Sequence, residues 1–159
     1  MAIKNKLLLK QMAILSALLG LILGVITNLP FISGFAFFAL FALAAPAILV
    51  YMKRNEMLGI LDIKEGALYG AIIGFVAFLG FALSFIPLAT IIGIIYKGSF
   101  YLGISLLFRS GLFVLLMLVF FVAILSALTN AASGLMTMYI YGQIEEKPEE
   151  SKTDIEIEE

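Results

Sequence analysis

Residues 11–52 read QMAILSALLGLILGVITNLPFISGFAFFALFALAAPAILVYM, 42 consecutive positions with no charged side chain. A bilayer hydrocarbon core of ~30 Å is crossed by ~20 helical residues, so this stretch holds enough chain for two crossings. Near its midpoint stand Thr27-Asn28-Leu29-Pro30 and then Ser33-Gly34. Asn and Pro are turn formers, and a proline at 30 disfavours helix at Leu29. The pattern predicts a helical hairpin, with one helix over about residues 7–28 and a second over about 31–52. Pro46 falls inside the second and is expected to kink it, a feature that membrane helices tolerate.

Charge flanks this stretch instead of interrupting it. The chain has 159 residues, 63% hydrophobic and 13% charged, and a mean hydropathy of +1.14 lies far outside the range of soluble domains. Its length suits one domain. Nearly all charge sits in the first ten residues, in Lys53–Glu65 and after Gln143, with Lys97 and Arg109 as the exceptions. A globular protein needs a polar surface all round, whereas a chain at lipid depth does not. The lysines ahead of the first apolar run resemble the start of a signal peptide, but no A-x-A-like site follows and the run is too long. An uncleaved first span is the better reading.

Downstream, residues 66–96 form a second uncharged stretch, too long as one helix for the core alone. Pro87 divides it, so helix three is expected over about 66–86. Residues 88–108, which contain Tyr96, Lys97, Gly98, Phe100 and Tyr101, are expected to be interfacial or to extend the neighbouring helices. Helix four is expected from about 110 to 130. No charge follows it before Glu145, so it either projects beyond the membrane or breaks near Thr129-Asn130. From Glu145 the chain reads EEKPEESKTDIEIEE, the composition of a disordered acidic tail.

The expected fold is therefore an all-α integral membrane protein: four transmembrane helices, arranged as two hairpins, fill a domain over 1–143, and a tail covers 144–159. Basic residues set the orientation. Lys4, Lys6, Lys10, Lys53, Arg54 and Lys64 fall on one side, against Lys97 and Arg109 on the other. The positive-inside rule then puts both ends in the cytoplasm, and a bacterial cytoplasmic (inner) membrane is the expected location. A five-span arrangement would set Lys97 near the centre of a helix, at about 2.5–3.5 kcal/mol on insertion scales, with no carboxylate nearby.

Small residues mark the expected packing faces. Ser16, Gly20 and Gly24 lie four apart, as do Gly66, Gly70 and Gly74, and Ala123, Ala127 and Ala131. Residues four apart share a helix face, and small ones let another backbone approach closely, which replaces the missing hydrophobic drive in lipid. SALLGLILGVI at 16–26 is echoed by GALYGAIIGFV at 66–76. The echo suits either a parallel repeat of two hairpins or the shared composition of glycine-rich apolar helices, and the second is the simpler account. Helices one and three, which carry the two glycine stripes, are expected to form the central pair.

The chemistry missing from the chain limits its function. Neither histidine nor cysteine occurs, which removes the commonest neutral-pH acid–base group and the thiolate metal ligand. Apart from the tyrosines and Lys10 at the start of the first, no ionisable group lies in the expected spans, where ion or proton transport usually needs one. The polar residues there are Asn28, read as a turn former, and Asn130, read as an interhelical hydrogen bonder, with Thr27, Ser84, Thr90, Ser126 and Thr129. Glu56, Asp62 and Glu65 alternate with basic residues and read as a solvated loop. No phosphate loop occurs, and a net charge of −1 with pI near 5.5 offers no nucleic-acid footprint.

No catalytic, metal or cofactor site is expected. Lys97 and Arg109 are candidates for lipid-headgroup contact. The expected function is that of a non-enzymatic structural or assembly subunit acting through small-residue helix packing, and the alternative is a small oligomeric channel or holin-like pore. Expected partners are the bilayer, a second copy or a larger membrane complex, and a cytoplasmic protein for the acidic tail.

Overall fold

The computed structural model describes residues 6–29, 31–55, 57, 63–96, 109 and 111–145. It is all-helical over these residues, with four helices long and apolar enough to cross a membrane: α1 (Lys6–Ile26), α2 (Ser33–Arg54), α3 (Ile63–Tyr96) and α4 (Leu112–Glu145). At 1.5 Å per residue, α1 and α2 measure about 31 and 33 Å, close to one hydrocarbon thickness, whereas α3 and α4 each reach about 51 Å.

The ends of these helices follow from local hydrogen bonding. Thr27 Oγ1 donates to the Leu23 carbonyl at 2.7 Å, a second bond beside the one from the Thr27 N–H, while Asn28 Nδ2 donates at 2.8 Å to the Gly24 carbonyl, which the Asn28 N–H bypasses for that of Val25. The turn continues through Leu29, whose carbonyl accepts from the N–H groups of Ile32 and Ser33. Pro30 lies outside the described residues. Gly111 opens α4 with φ of 100°, a left-handed conformation that favours glycine, and its carbonyl accepts from Val114 and Leu115.

Two helices take the longer of the courses that the sequence leaves open. α3 passes through Pro87 to Tyr96 instead of ending near Ile86, so residues 88–96 extend it. Pro87 is exposed, so its ring stands at the bundle surface while the rest of the helix stays bonded. α4 does not break at Thr129-Asn130 and runs on to Glu145. Thr129 Oγ1 donates to the carbonyls of Leu125 and Ser126 in its own helix, so it is satisfied without interrupting it. Residues 97–108 and 146–159 lie outside the described residues, and the acidic tail with them.

α3 is the centre of the bundle, and it makes two close seams at different heights. Its first half meets α4, which runs antiparallel to it. A methyl group added at Gly70 would strike the Asn130 carbonyl, one at Gly74 the Ser126 carbonyl, and one at Gly134 would lie 2.5 Å from the Gly66 carbonyl oxygen. Its second half meets α1, which runs parallel. A methyl at Gly20 would strike the Ala77 carbonyl, one at Gly24 would meet Phe81 and Ser84, and one at Gly80 would lie 2.5 Å from the Ala17 carbonyl oxygen. The two glycine stripes thus do not face each other. Gly20 and Gly70 correspond in the sequence echo yet meet different helices, so the echo is not matched by equivalent packing.

α2 lies against both α3 and α4, and its two halves are held differently. The half towards Arg54 buries Ala44, Ala45, Ile48, Leu49 and Met52, whereas Ala36 is the buried residue of Ser33–Phe38. At the Arg54 end, the Lys53 ammonium sits 4.5 Å from the centre of the Tyr141 ring on α4, a cation–π contact.

Where a glycine faces another backbone, a larger side chain has nowhere to go. Gly20→Leu and Gly70→Leu are each expected to destabilise the bundle by about 1–3 kcal/mol. Nothing stands within 4 Å of a methyl at Gly34 or Gly142. There, alanine is expected to be neutral or to stabilise by about 0.5–1 kcal/mol through helix propensity. Thermal unfolding of the four variants in one mild detergent checks this contrast.

Candidate functional site

Among the described residues, Ser84, Ser126 and Asn130 join neighbouring helices by hydrogen bonds to backbone groups. Ser84 Oγ on α3 donates to the Leu21 carbonyl of α1 at 2.9 Å, and Ser126 Oγ on α4 donates to the Gly74 carbonyl of α3 at 3.0 Å. Without a Cβ at Gly74 the α4 backbone comes close, and this brings the serine within reach.

The third junction is the most elaborate. α2 widens to a π-helical turn over Ala39–Leu43, just ahead of Pro46. Pro46 has no N–H to donate, and its ring crowds the carbonyl four residues earlier, so a regular helix is interrupted here. Asn130 fills the interruption from α4. Its Nδ2 donates to the Leu40 carbonyl at 3.0 Å, and its Oδ1 accepts from the Ala45 N–H at 2.9 Å. Leu40 and Ala45 are five apart, the spacing of a π-helical bond, and one amide serves both. The same Nδ2 reaches the Ser126 carbonyl at 3.0 Å. Asn130, Ser126, Leu40 and Ala45 are all fully buried. The reading of Asn130 as an interhelical hydrogen bonder is what the structure contains, and its partner is the backbone of α2.

Beyond Gly74 and Ser126, α3 and α4 no longer meet through small residues. Phe75 and Phe120 pack edge-on at 6.1 Å, and past them the seam opens into a crevice. On the α1 side the crevice holds about 540 Å³, lined by Ala17, Leu21, Leu79, Leu83, Pro87 and Leu116 among others. On the α2 side a narrower cavity of about 230 Å³ lies between Phe37 and Phe41 of α2 and Phe78, Phe81 and Phe85 of α3. Ala82, Ile86, Leu115 and Val119 border both. The rings form a connected cluster: Phe81 stacks on Phe85 at 5.1 Å and on Phe78 at 5.7 Å, while Phe37 tilts against Phe81 at 5.2 Å. The described side chains lining these spaces are apolar, and Ser84, Ser126 and Asn130 point into helix seams instead.

The residues singled out by sequence fall into several groups. Ser16, Gly20 and Gly24 are buried, as are Gly66, Gly70 and Gly74. Ser16 Oγ donates to the Met12 carbonyl of its own helix at 2.6 Å. Ala123 is buried, but Ala127 and Ala131 are only half-buried. The buried face of α4 runs through Ser126, Asn130, Gly134 and Met138, one position round from the alanine stripe. Gly134 is the member of this face outside the expected stripes, and the four-residue steps from Ser126 to Asn130 and from Asn130 to Gly134 are its signal in the sequence. Arg109 is exposed, and Lys97 lies outside the described residues. So do Glu56 and Asp62, while Glu65 stands in the first turn of α3. Asn28 Oδ1 is buried without a hydrogen-bond partner.

Compared with known proteins, the chain matches no family model, no curated protein and no solved structure. The geometry alone carries the functional argument.

Removing the Asn130 amide leaves a buried carbonyl and a buried N–H without it. Asn130→Ala is expected to destabilise the bundle by about 1–3 kcal/mol. Ser84→Ala removes one hydroxyl donor and leaves a carbonyl that its own helix still engages, so a loss near 0.6 kcal/mol is expected. Equilibrium unfolding in mixed micelles ranks the two variants, and an equal loss for both would contradict the role given to Asn130.

Proposed function

We propose that this chain is a non-enzymatic polytopic membrane protein that serves as a structural or assembly subunit. In this reading its helices form two hairpins with both ends in the cytoplasm, and the crevice between α3 and α4 seats an apolar transmembrane helix of another subunit. The observation that carries it is the separation of polar groups from open space. Ser84, Ser126 and Asn130 act on backbone within the bundle, and the described side chains lining the crevice are apolar. A surface of that kind selects by shape, and offers no polar group to orient a substrate. Small-residue packing, on this view, builds the subunit, and the larger side chains around its crevice meet the partner.

Exposed side chains at the crevice test the assembly role without disturbing the bundle. Leu83 and Leu116 are 72% and 57% exposed. Their combined replacement by alanine is expected to weaken recovery of the co-extracted partner about tenfold while leaving thermal unfolding unchanged. A monodisperse monomer without partners after gentle extraction, or solute flux through liposomes holding the purified chain, would overturn the assignment. For orientation, the cysteine-free chain takes single probes cleanly. Phe31→Cys is expected to react with an impermeant maleimide added outside intact cells, and Asn55→Cys only after permeabilisation.

A further inference from the structure

The two halves of α2 differ in a way that packing alone does not require. From Ala44 to Arg54 the helix buries five residues, each 6% exposed or less. From Ser33 to Phe38 it buries Ala36, while Phe35 is 66% and Phe38 59% exposed. Between the halves lies the π-helical turn, where Leu43 holds φ −108° and ψ −9°, off the regular helical values. Helices change direction where the bonding ladder is interrupted, and this interruption combines a proline with an inserted side chain. Behind the lightly held half stands the phenylalanine-lined cavity, closed on that side by Phe37 and Phe41.

We propose that the Ser33–Phe38 half of α2 is a hinged arm. Its pivot is the Ala39–Leu43 turn, its latch is the Asn130 amide, and its outward swing opens the phenylalanine-lined cavity sideways to the lipid. The latch acts at the pivot itself, because the Leu40 carbonyl belongs to the turn and the Ala45 N–H to the anchored half, and one amide ties them together. Ring contacts of Phe37 with Phe81 and Phe85 seat the arm in its closed position, and that of Phe41 with Phe78 holds the pivot. Such contacts are non-directional enough to part and re-form, unlike the backbone-to-backbone seams of α3 with α1 and α4. Hinges of this kind absorb a large change at a few residues while the elements on either side stay rigid.

Nitroxide pairs on the cysteine-free chain in nanodiscs, read by pulsed dipolar spectroscopy, test the arm. An arm pair, Phe35→Cys with Leu83→Cys, reports its position. A base pair, Tyr51→Cys with Leu68→Cys, reports the anchored half, and all four sites are exposed. Asn130→Ala frees the Leu40 carbonyl and Ala45 N–H to pair with each other or with water, and either re-aims the arm. The expected result is an arm-pair distribution shifted to longer distances with the base pair unchanged. Phe37→Ala, which spares the latch and removes two ring contacts, is expected to shift the arm pair in the same direction. It serves alone if Asn130→Ala fails to fold. An arm pair that stays at the parent distance in the folded variants would show that the arm is not released, and a base pair that broadens together with it would show that α2 moves as one rigid helix; either overturns the proposal.

Discussion

Apolar helices in lipid gain little by hiding from their solvent, so close backbone contact and hydrogen bonds must hold them together. In this protein the close contact is concentrated on α3. Gly66, Gly70 and Gly74 admit α4 along its first half, and the Gly20, Gly24 and Gly80 contacts join α1 along its second. The two seams are staggered along one helix, and much else follows from that offset. Where α4 is close, Ser126 reaches the Gly74 carbonyl, and where α1 is close, Ser84 reaches that of Leu21. Where neither seam holds α4, the bundle opens into the crevice.

α2 completes the bundle without a glycine seam of its own. Pro46 interrupts its bonding ladder in an apolar interior, where an unsatisfied peptide group is expensive. Asn130 resolves this by lending an amide from the helix opposite, so a defect in one helix becomes a junction between two. The position of Asn130 within the Ser126–Asn130–Gly134 face is what makes this possible, because the same face brings α4 against α3. One stripe of α4 therefore serves both neighbours.

This arrangement divides the molecule along its length. Towards the ends where α2 finishes and α3 begins, backbones touch, side chains are small, and the Lys53–Tyr141 contact adds a tie. Towards the other end the glycine seam passes to α1, phenylalanines fill the faces of α3 turned to α2 and α4, and the spaces among them are bordered by apolar groups. Tight packing suits an invariant base, and aromatic packing suits a surface that accommodates another apolar body. Both the proposed assembly role and the proposed hinged arm rest on that division, the first on the crevice facing α1 and the second on the cavity beneath α2.

Much of this was legible in the residues themselves. Long uncharged runs bounded by lysines and acids read as helices long and apolar enough to cross a membrane, and the described residues form four such helices. Asn28 at the end of α1 and Asn130 as an interhelical donor were equally readable, since a lone amide in an apolar run must find a partner. Helix ends were less so: Pro87 interrupts one bond but cannot by itself stop a helix whose other bonds remain, and nothing in a sequence says whether they do. Glycine spacing told which faces were smooth and not which helix each face would meet, because any smooth face accepts any backbone. Only the tertiary structure decided that the two stripes serve different seams, that the buried face of α4 passes through Gly134, and that the Asn130 amide bridges the turn before Pro46. Those outcomes depend on how four helices share a cross-section, and no single helix carries that information.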